Sequence, residues 1–275
     1  MRQTQFPHRW RTVVTILFFA YAALNSYFVL TPVLGAAPPA AMVMVPVLMG
    51  SFSLCHALYV LGIRHALGFF AVSTTVSLVF EAVGVATGLV YGPYHYSDLL
   101  GPRLFAVPIV VPLAWFMVIY PSYTLANYLV SGTIVSQRGT QLSRTLGLAG
   151  LSAMLMTAWD LLLDPQMTAD GYWTWHVEGS YFGIPVHNFV GWLLTTLTIF
   201  TIYRVAESRW PSAPWGPLPH RFMLQPLAIY GLLAGGYTVG FALQQRPEVA
   251  LIALFAMGTP TLAALVRRPS NASHG

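Results

Sequence analysis

Long apolar runs broken by short polar or Pro/Gly-rich segments dominate this chain. Between Arg11 and Arg64 there is no Asp, Glu, Lys or Arg at all. A helix needs about 20 apolar residues to cross the hydrocarbon of a bilayer, so this stretch is too long for one crossing. Pro38-Pro39 divides it into spans near 12–31 and 41–62. The remaining runs predict spans near 67–90, 105–130, 146–164, 186–204, 223–244 and 249–266. The pattern is that of an all-α polytopic membrane helix bundle with eight transmembrane helices, or seven if the short last run does not cross. Residues 1–11 then form a cytoplasmic N-terminal segment, 12–266 a single transmembrane domain and 267–275 a cytoplasmic tail.

Composition agrees: of 275 residues, 56% are hydrophobic and 8% charged, against about 25% charged in ordinary soluble domains. The net charge of +5 would suggest nucleic acid in a soluble protein. Here the cations sit at span ends, where they orient helices instead. With the N-terminus cytoplasmic, the inside segments hold Arg2, Arg9, Arg11, Arg64, Arg138, Arg144, Arg204, Arg209, Arg221, Arg267 and Arg268, and the outside loops only Arg103 and Arg246. This bias places both termini in the cytoplasm and the protein in the cell's inner membrane as a multi-pass protein. The N-terminal MRQTQFPHRWR followed by VVTILFFAYAALNSYFVL has an apolar part longer than the roughly 7–15 residues of a signal-peptide core, so an uncleaved first helix is expected. The single cysteine, Cys55, excludes intramolecular disulfides and cysteine-based metal clusters.

Eight acids occur in the chain. Glu207 and Glu248 fall near span ends, and Asp98, Asp170 and Glu178 in loops, where solvated surface positions are expected. Glu81, Asp160 and Asp164 instead fall inside spans three and five. An acid at a helix centre costs about 2.5–3.5 kcal/mol on insertion scales, so it faces a bundle interior or a cavity. All three lie in the outer halves of their spans and so point to one pocket. Asp160 and Asp164 share a helix face, and two close carboxyls in low dielectric resist carrying two charges, which favours a shared proton. His187 and Asn188 open span six on the same side, and Asn25 lies in the outer half of span one. His56 falls in the opposite half and reads as structural. Two outer loops, YGPYHYSDLLGP (91–102) and QMTADGYWTWHVEGSYFGIP (166–185), are too aromatic for plain linkers and are expected either to fold over the helix ends or to form an aromatic belt at the headgroups.

Several chemistries are absent from the pattern. There is no Gly-rich phosphate loop, no His-x-x-x-His or Cys-x-x-Cys metal spacing, and no Gly-x-Ser-x-Gly elbow. Asp160-x-x-x-Asp164 matches the DxxxD motif of membrane prenyltransferases, but the partner Asp-rich motif is missing and few cations lie on the acid side.

Two segments, 81–115 and 159–192, carry a more specific combination. Glu81-x-x-Gly84 precedes Gly92-x-Tyr94-x-Tyr96; Trp159-Asp160-x-x-x-Asp164-Pro165 precedes Trp173-x-Trp175; and Tyr181-x-Gly183-x-Pro185-x-x-Asn188-x-x-Gly191-Trp192 follows. Over roughly residues 80–195 the chain resembles the integral-membrane carotenoid biosynthesis proteins, a family that includes CruF-type carotenoid 1,2-hydratases, γ-carotene 1'-hydroxylases and bisanhydrobacterioruberin hydratases. The resemblance implies a cofactor-independent hydro-lyase that adds water across the terminal C1=C2 bond of an acyclic carotenoid. It also implies as partners the carotenoid (lycopene, γ-carotene or a C50 relative), the lipid bilayer and other enzymes of the pathway. In that reading Asp160 or Asp164 protonates C2 and its partner carboxylate stabilises the cation. Glu81 with Asn188 positions the water, and Trp159, Tyr94, Tyr96, Tyr172, Trp173, Trp175, Tyr181, Trp192 and His187 bind the substrate. No metal is expected. The competing readings are a lycopene-cyclase-like enzyme, a membrane prenyltransferase, and a non-catalytic carotenoid- or lipid-binding protein.

Overall fold

The computed structural model describes residues 8–35, 39–136, 141–210, 214, 216 and 218–267. Arg2, Pro38, Arg138, Arg268 and the tail from 268 lie outside the described residues. The long helices are α1 (His8–Leu34), α2 (Pro39–Leu61) and α3 (Ile63–Thr87), then α4 (Val110–Ser131), α5 (Leu142–Ala169) and α6 (Val186–Arg209). A short α7 (His220–Met223) leads into α8 (Gln225–Leu243). The last run is α9 (Pro247–Ala253) and α10 (Thr259–Val266), joined by a π-helical turn at Leu254–Gly258. Helices α2 and α3 are joined by Gly62 alone, at φ 81° and ψ 160°, a conformation that only glycine adopts without strain.

Eight long helical runs therefore stand where eight spans are expected. Seven of them are long and apolar enough to cross a membrane, including the last, Pro247–Val266. The helix outside that set is α4. At 22 residues it is about 33 Å long at 1.5 Å per residue, enough for the hydrocarbon core. Its hydropathy is lowered by Tyr, Ser, Thr and Asn, and it is buried without interruption from Trp115 to Tyr128. Helices α2, α3, α5 and α8 surround it, so it presents side chains to protein rather than to lipid.

Two prolines inside helices are accommodated by side-chain donors. Proline has no N–H, so the carbonyl four residues earlier loses its partner. Pro121 frees the carbonyl of Met117, which accepts the Ser53 hydroxyl from α2 at 2.9 Å. Pro165 frees that of Leu161, which accepts the Tyr181 hydroxyl at 2.9 Å. Helix α5 therefore runs through Pro165 to Ala169, and Asp164 lies inside the helix rather than at its end.

The two aromatic loops fold together. Strand β1 (Tyr94–Tyr96) pairs antiparallel with β4 (Trp173–Trp175), Tyr94 facing Trp175 and Tyr96 facing Trp173. Between them in sequence, β2 (Arg103–Leu104) and β3 (Val107–Pro108) form a small hairpin turned by Phe105 and Ala106 at φ 49° and 65°. Residues 105–108, expected at the start of span four, thus belong to this cap.

Candidate functional site

Strand alternation builds the site's roof. Successive side chains point to opposite faces, so Tyr94 and Tyr96 are buried while His95 is exposed between them. The indoles of Trp173 and Trp175 sit on the same inner face, with Tyr94–Trp175 centroids 5.1 Å apart and Tyr96–Trp173 5.9 Å apart. On the outer face His95 Nδ1 and His176 Nε2 share a hydrogen bond of 2.6 Å.

Below the roof lies a cavity of about 550 Å³, within the usual range for small-molecule sites. Glu81, Asp164 and Asn188 line it together with Tyr94, Tyr96, Trp159, Tyr172, Trp173, Trp175 and Trp192. Glu81, from α3, is 3% exposed. Both roof tyrosines donate to its Oε2, Tyr94 at 2.5 Å and Tyr96 at 2.7 Å. Burial first, and then the charge of Glu81, push both hydroxyls well above the ordinary tyrosine range. They therefore remain donors throughout the neutral region.

Asp160 and Asp164 stand one turn apart on α5, 0% and 1% exposed. The Asn188 side chain donates to both, to Asp160 Oδ2 at 2.8 Å and Asp164 Oδ2 at 2.5 Å. A carboxamide has two N–H hydrogens, so Asn188 bridges the pair. The other oxygen of Asp164 accepts the Trp173 indole N–H at 2.5 Å, which ties the acid pair to the roof. Asp160 Oδ1 and Trp175 Nε1 are buried with no hydrogen-bond partner among the described residues.

Of the residues expected at the site, Asp160, Tyr181 and His187 do not line the cavity. Asp160 is enclosed behind Asn188. Tyr181 caps the freed Leu161 carbonyl, and burial followed by the charge of Asp160 push its hydroxyl up to about 12. His187 is exposed. Asn25 borders a second, adjoining cavity. His56 is fully buried between the Tyr120 hydroxyl at 2.6 Å and the Phe222 carbonyl at 3.0 Å, as expected of a structural histidine.

Glu207 requires a correction. The expected solvated acid is 2% exposed and accepts the Tyr123 hydroxyl at 2.8 Å. One turn earlier Arg204, 3% exposed, donates to Asn127 Oδ1 at 2.8 Å and Ser152 Oγ at 2.7 Å. Helix α6 extends to Arg209, so both groups fall among α4, α5 and α6 rather than beyond them.

Two aromatics missed in the sequence complete the cavity wall. Trp115 stacks on Trp192 with centroids 4.3 Å apart and planes 13° apart. Tyr91 is gripped between two glycines. A Cβ on Gly84 would stand 2.7 Å from its Cδ2, and one on Gly191 2.6 Å from its Cδ1. Its hydroxyl meets Thr195 Oγ1 at 2.9 Å. The signal for Tyr91 was the pair of motif glycines, whose common contact is not readable from their spacing.

Fold and site together define a multi-pass membrane protein with three buried acids gathered around an aromatic, largely apolar cavity. The chain belongs to the carotenoid biosynthesis protein family, whose pattern matches residues 40–259. Among characterised proteins it is similar to bisanhydrobacterioruberin hydratase of Haloarcula japonica, with 31% identity over 169 residues. That alignment covers 59% of this chain and 53% of the relative, so the chain matches about half of the relative's length. No solved structure matches it.

Proposed function

We propose that this chain is a carotenoid 1,2-hydratase of the inner membrane, with both termini cytoplasmic, acting on the ψ-end of an acyclic carotenoid without a cofactor. The observation that carries the reading is the acid pair bridged by Asn188 beside a cavity otherwise walled by aromatic and aliphatic side chains. Protonating an unactivated alkene requires a carboxylic acid in a dry site, and the pair is suited to share one proton. Asp164 is the member that lines the cavity and delivers the proton to C2, while Asp160 shares the remaining charge through Asn188. The tertiary cation at C1 is stabilised by the carboxylates and by the faces of the surrounding indoles and phenols. Water then bonds to C1 and its proton passes to Glu81, which the two roof tyrosines hold at the cavity wall. The net change is the addition of one water, with the proton returning to the carboxyl set. The name of the Haloarcula relative supports the same reaction class, and the apolar cavity suits a polyene end.

Expression in a lycopene-producing host tests this. The extracted pigment should gain the mass of one or two waters, and Asp160→Asn should abolish the gain while the protein remains in the membrane. A pigment of unchanged mass but altered cyclisation would replace the reading with a cyclase. A wild-type product pattern from Asp160→Asn would remove the acid pair from the mechanism.

A further inference from the structure

A second cavity of about 380 Å³ adjoins the first, bordered by residues of α1, α2, α5 and α8. The two share Pro46, Met117, Trp159, Leu163 and Met167 as lining residues, so they adjoin along these side chains. The second is edged by polar groups: Asp170 and Gln244 are exposed, Gln166 half-buried and Asn25 buried. Tyr237 lines it too, and its hydroxyl accepts the Trp159 indole N–H at 3.3 Å. Having accepted that hydrogen bond, the hydroxyl can donate its own proton to a further partner. Next to Trp159 in the chain stands Asp160, whose Oδ1 is buried without a hydrogen-bond partner among the described residues.

We propose that this second cavity is the water compartment of the site, with Tyr237 as the positioning residue that presents water to the cation where the two cavities meet beside Trp159. The inference rests on the hydratase reading above. Gln166 donates to Asp170 at 2.8 Å and Asn25 to the Leu232 carbonyl at 3.4 Å, but a polyene laid against them and Gln244 would strip the hydration of their amide oxygens and supply no hydrogen bonds in exchange. A water molecule needs two to four polar partners, and Asn25, Gln166, Tyr237 and Gln244 all line this cavity. Keeping the nucleophile in its own compartment lets the first cavity stay dry while the alkene is protonated. The oxygen of that water forms the new bond to C1, and its proton goes to the carboxylate set. No other reactant is consumed.

Two variants of α8 test the proposal in the full-length protein, purified from a carotene-producing host. Gly240 lines the second cavity, and a Cβ there would meet nothing within 4 Å, so Gly240→Leu fills the space from a helix that accepts a side chain. Tyr237→Phe keeps the ring and removes the hydroxyl. Three quantities are read: hydrated pigment, unhydrated carotene that co-purifies, and deuterium taken into that carotene in deuterated water. A cation denied water reverts by giving up a proton, so exchange should continue when hydration stops. The expected result is loss of hydrated pigment from both variants, with co-purified carotene and deuterium uptake retained. Wild-type hydration in both variants overturns the proposal, and so does loss of carotene from Gly240→Leu, which would make the cavity part of the polyene site. A wild-type chain that binds carotene without hydrating it refutes the parent reading, whereas hydration by wild type and variants alike refutes only the water compartment.

Discussion

Replacing Tyr94 and Tyr96 by Phe, singly and together, probes how Glu81 is held without disturbing the aromatic roof. The rings sit at 5.3 Å in an edge-to-face contact that phenylalanine preserves, so only two hydroxyls are lost. Both donate to the same carboxylate oxygen, at 2.5 and 2.7 Å, and Glu81 is 3% exposed. A hydrogen bond to a charged group is worth about 1.5–3 kcal/mol. Because one tyrosine still serves Oε2 after the other is removed, each single change should cost near the lower figure. The double variant leaves the oxygen with neither donor and should cost about 4 kcal/mol, more than the two singles combined. At about 2–4 °C per kcal/mol for a chain of this size, that is a fall of about 10 °C in melting temperature, measurable in detergent. A carboxylate displaced by about 1 Å loses up to about 100-fold in rate, so hydration by the double variant should fall well before folding does. Strictly additive losses in the two singles would contradict convergence on one oxygen. If the double variant hydrates normally while Glu81→Gln is inactive, the tyrosines do not set the orientation of Glu81.

Gly191→Ala should lower the melting temperature, because its Cβ would stand 2.2 Å from the Val90 carbonyl oxygen. The helical preference for Ala over Gly, about 1 kcal/mol, is outweighed by an overpacking cost of about 1–3 kcal/mol or more, and an unchanged melt would refute the close approach. Arg204→Leu should cost about 1–3 kcal/mol for each buried acceptor it leaves without a donor, Asn127 Oδ1 and Ser152 Oγ. Arg204→Lys should not restore it, since one ammonium lacks the guanidinium's fork of donors; a wild-type melt for the Lys variant would contradict the bridging role. The hydroxyls of Tyr91, Tyr94 and Tyr96 are raised above 10.0 by burial and then by Glu81, whereas in the unfolded chain they titrate near their ordinary value of about 10. The folded state therefore keeps protons that the unfolded state loses, so their contribution is complete below about pH 10 and declines above it. The difference in tyrosinate absorbance between wild type and the double Phe variant should be absent from folded protein just above that pH and emerge on denaturation. Its emergence in the folded protein would refute the raised values.

How far such features can be read from the chain depends on where their partners lie. Spans are legible because each lipid-facing helix must satisfy the bilayer by itself, and the three intramembrane acids are legible because the bilayer penalises them one by one. The burial of α4 leaves only a faint trace, the hydroxyl and amide groups of Tyr120, Ser122, Tyr123, Thr124 and Asn127, which protein surroundings tolerate and lipid does not. Local rules fail where a distant donor intervenes. Asp164-Pro165 reads as a helix end until Tyr181 takes the Leu161 carbonyl, and Glu207 reads as solvated until Tyr123 reaches it from α4. The motif glycines show the same limit from the other side. Gly84 and Gly191 are 107 positions apart in the chain, yet each is required by the same ring, that of Tyr91. Tyr91 in turn lies three residues before Tyr94 and five before Tyr96, whose hydroxyls hold Glu81. The glycines of this signature thus serve the acids indirectly: by admitting Tyr91 between α3 and α6, they set the depth at which the roof strand begins and so where its tyrosines meet the carboxylate.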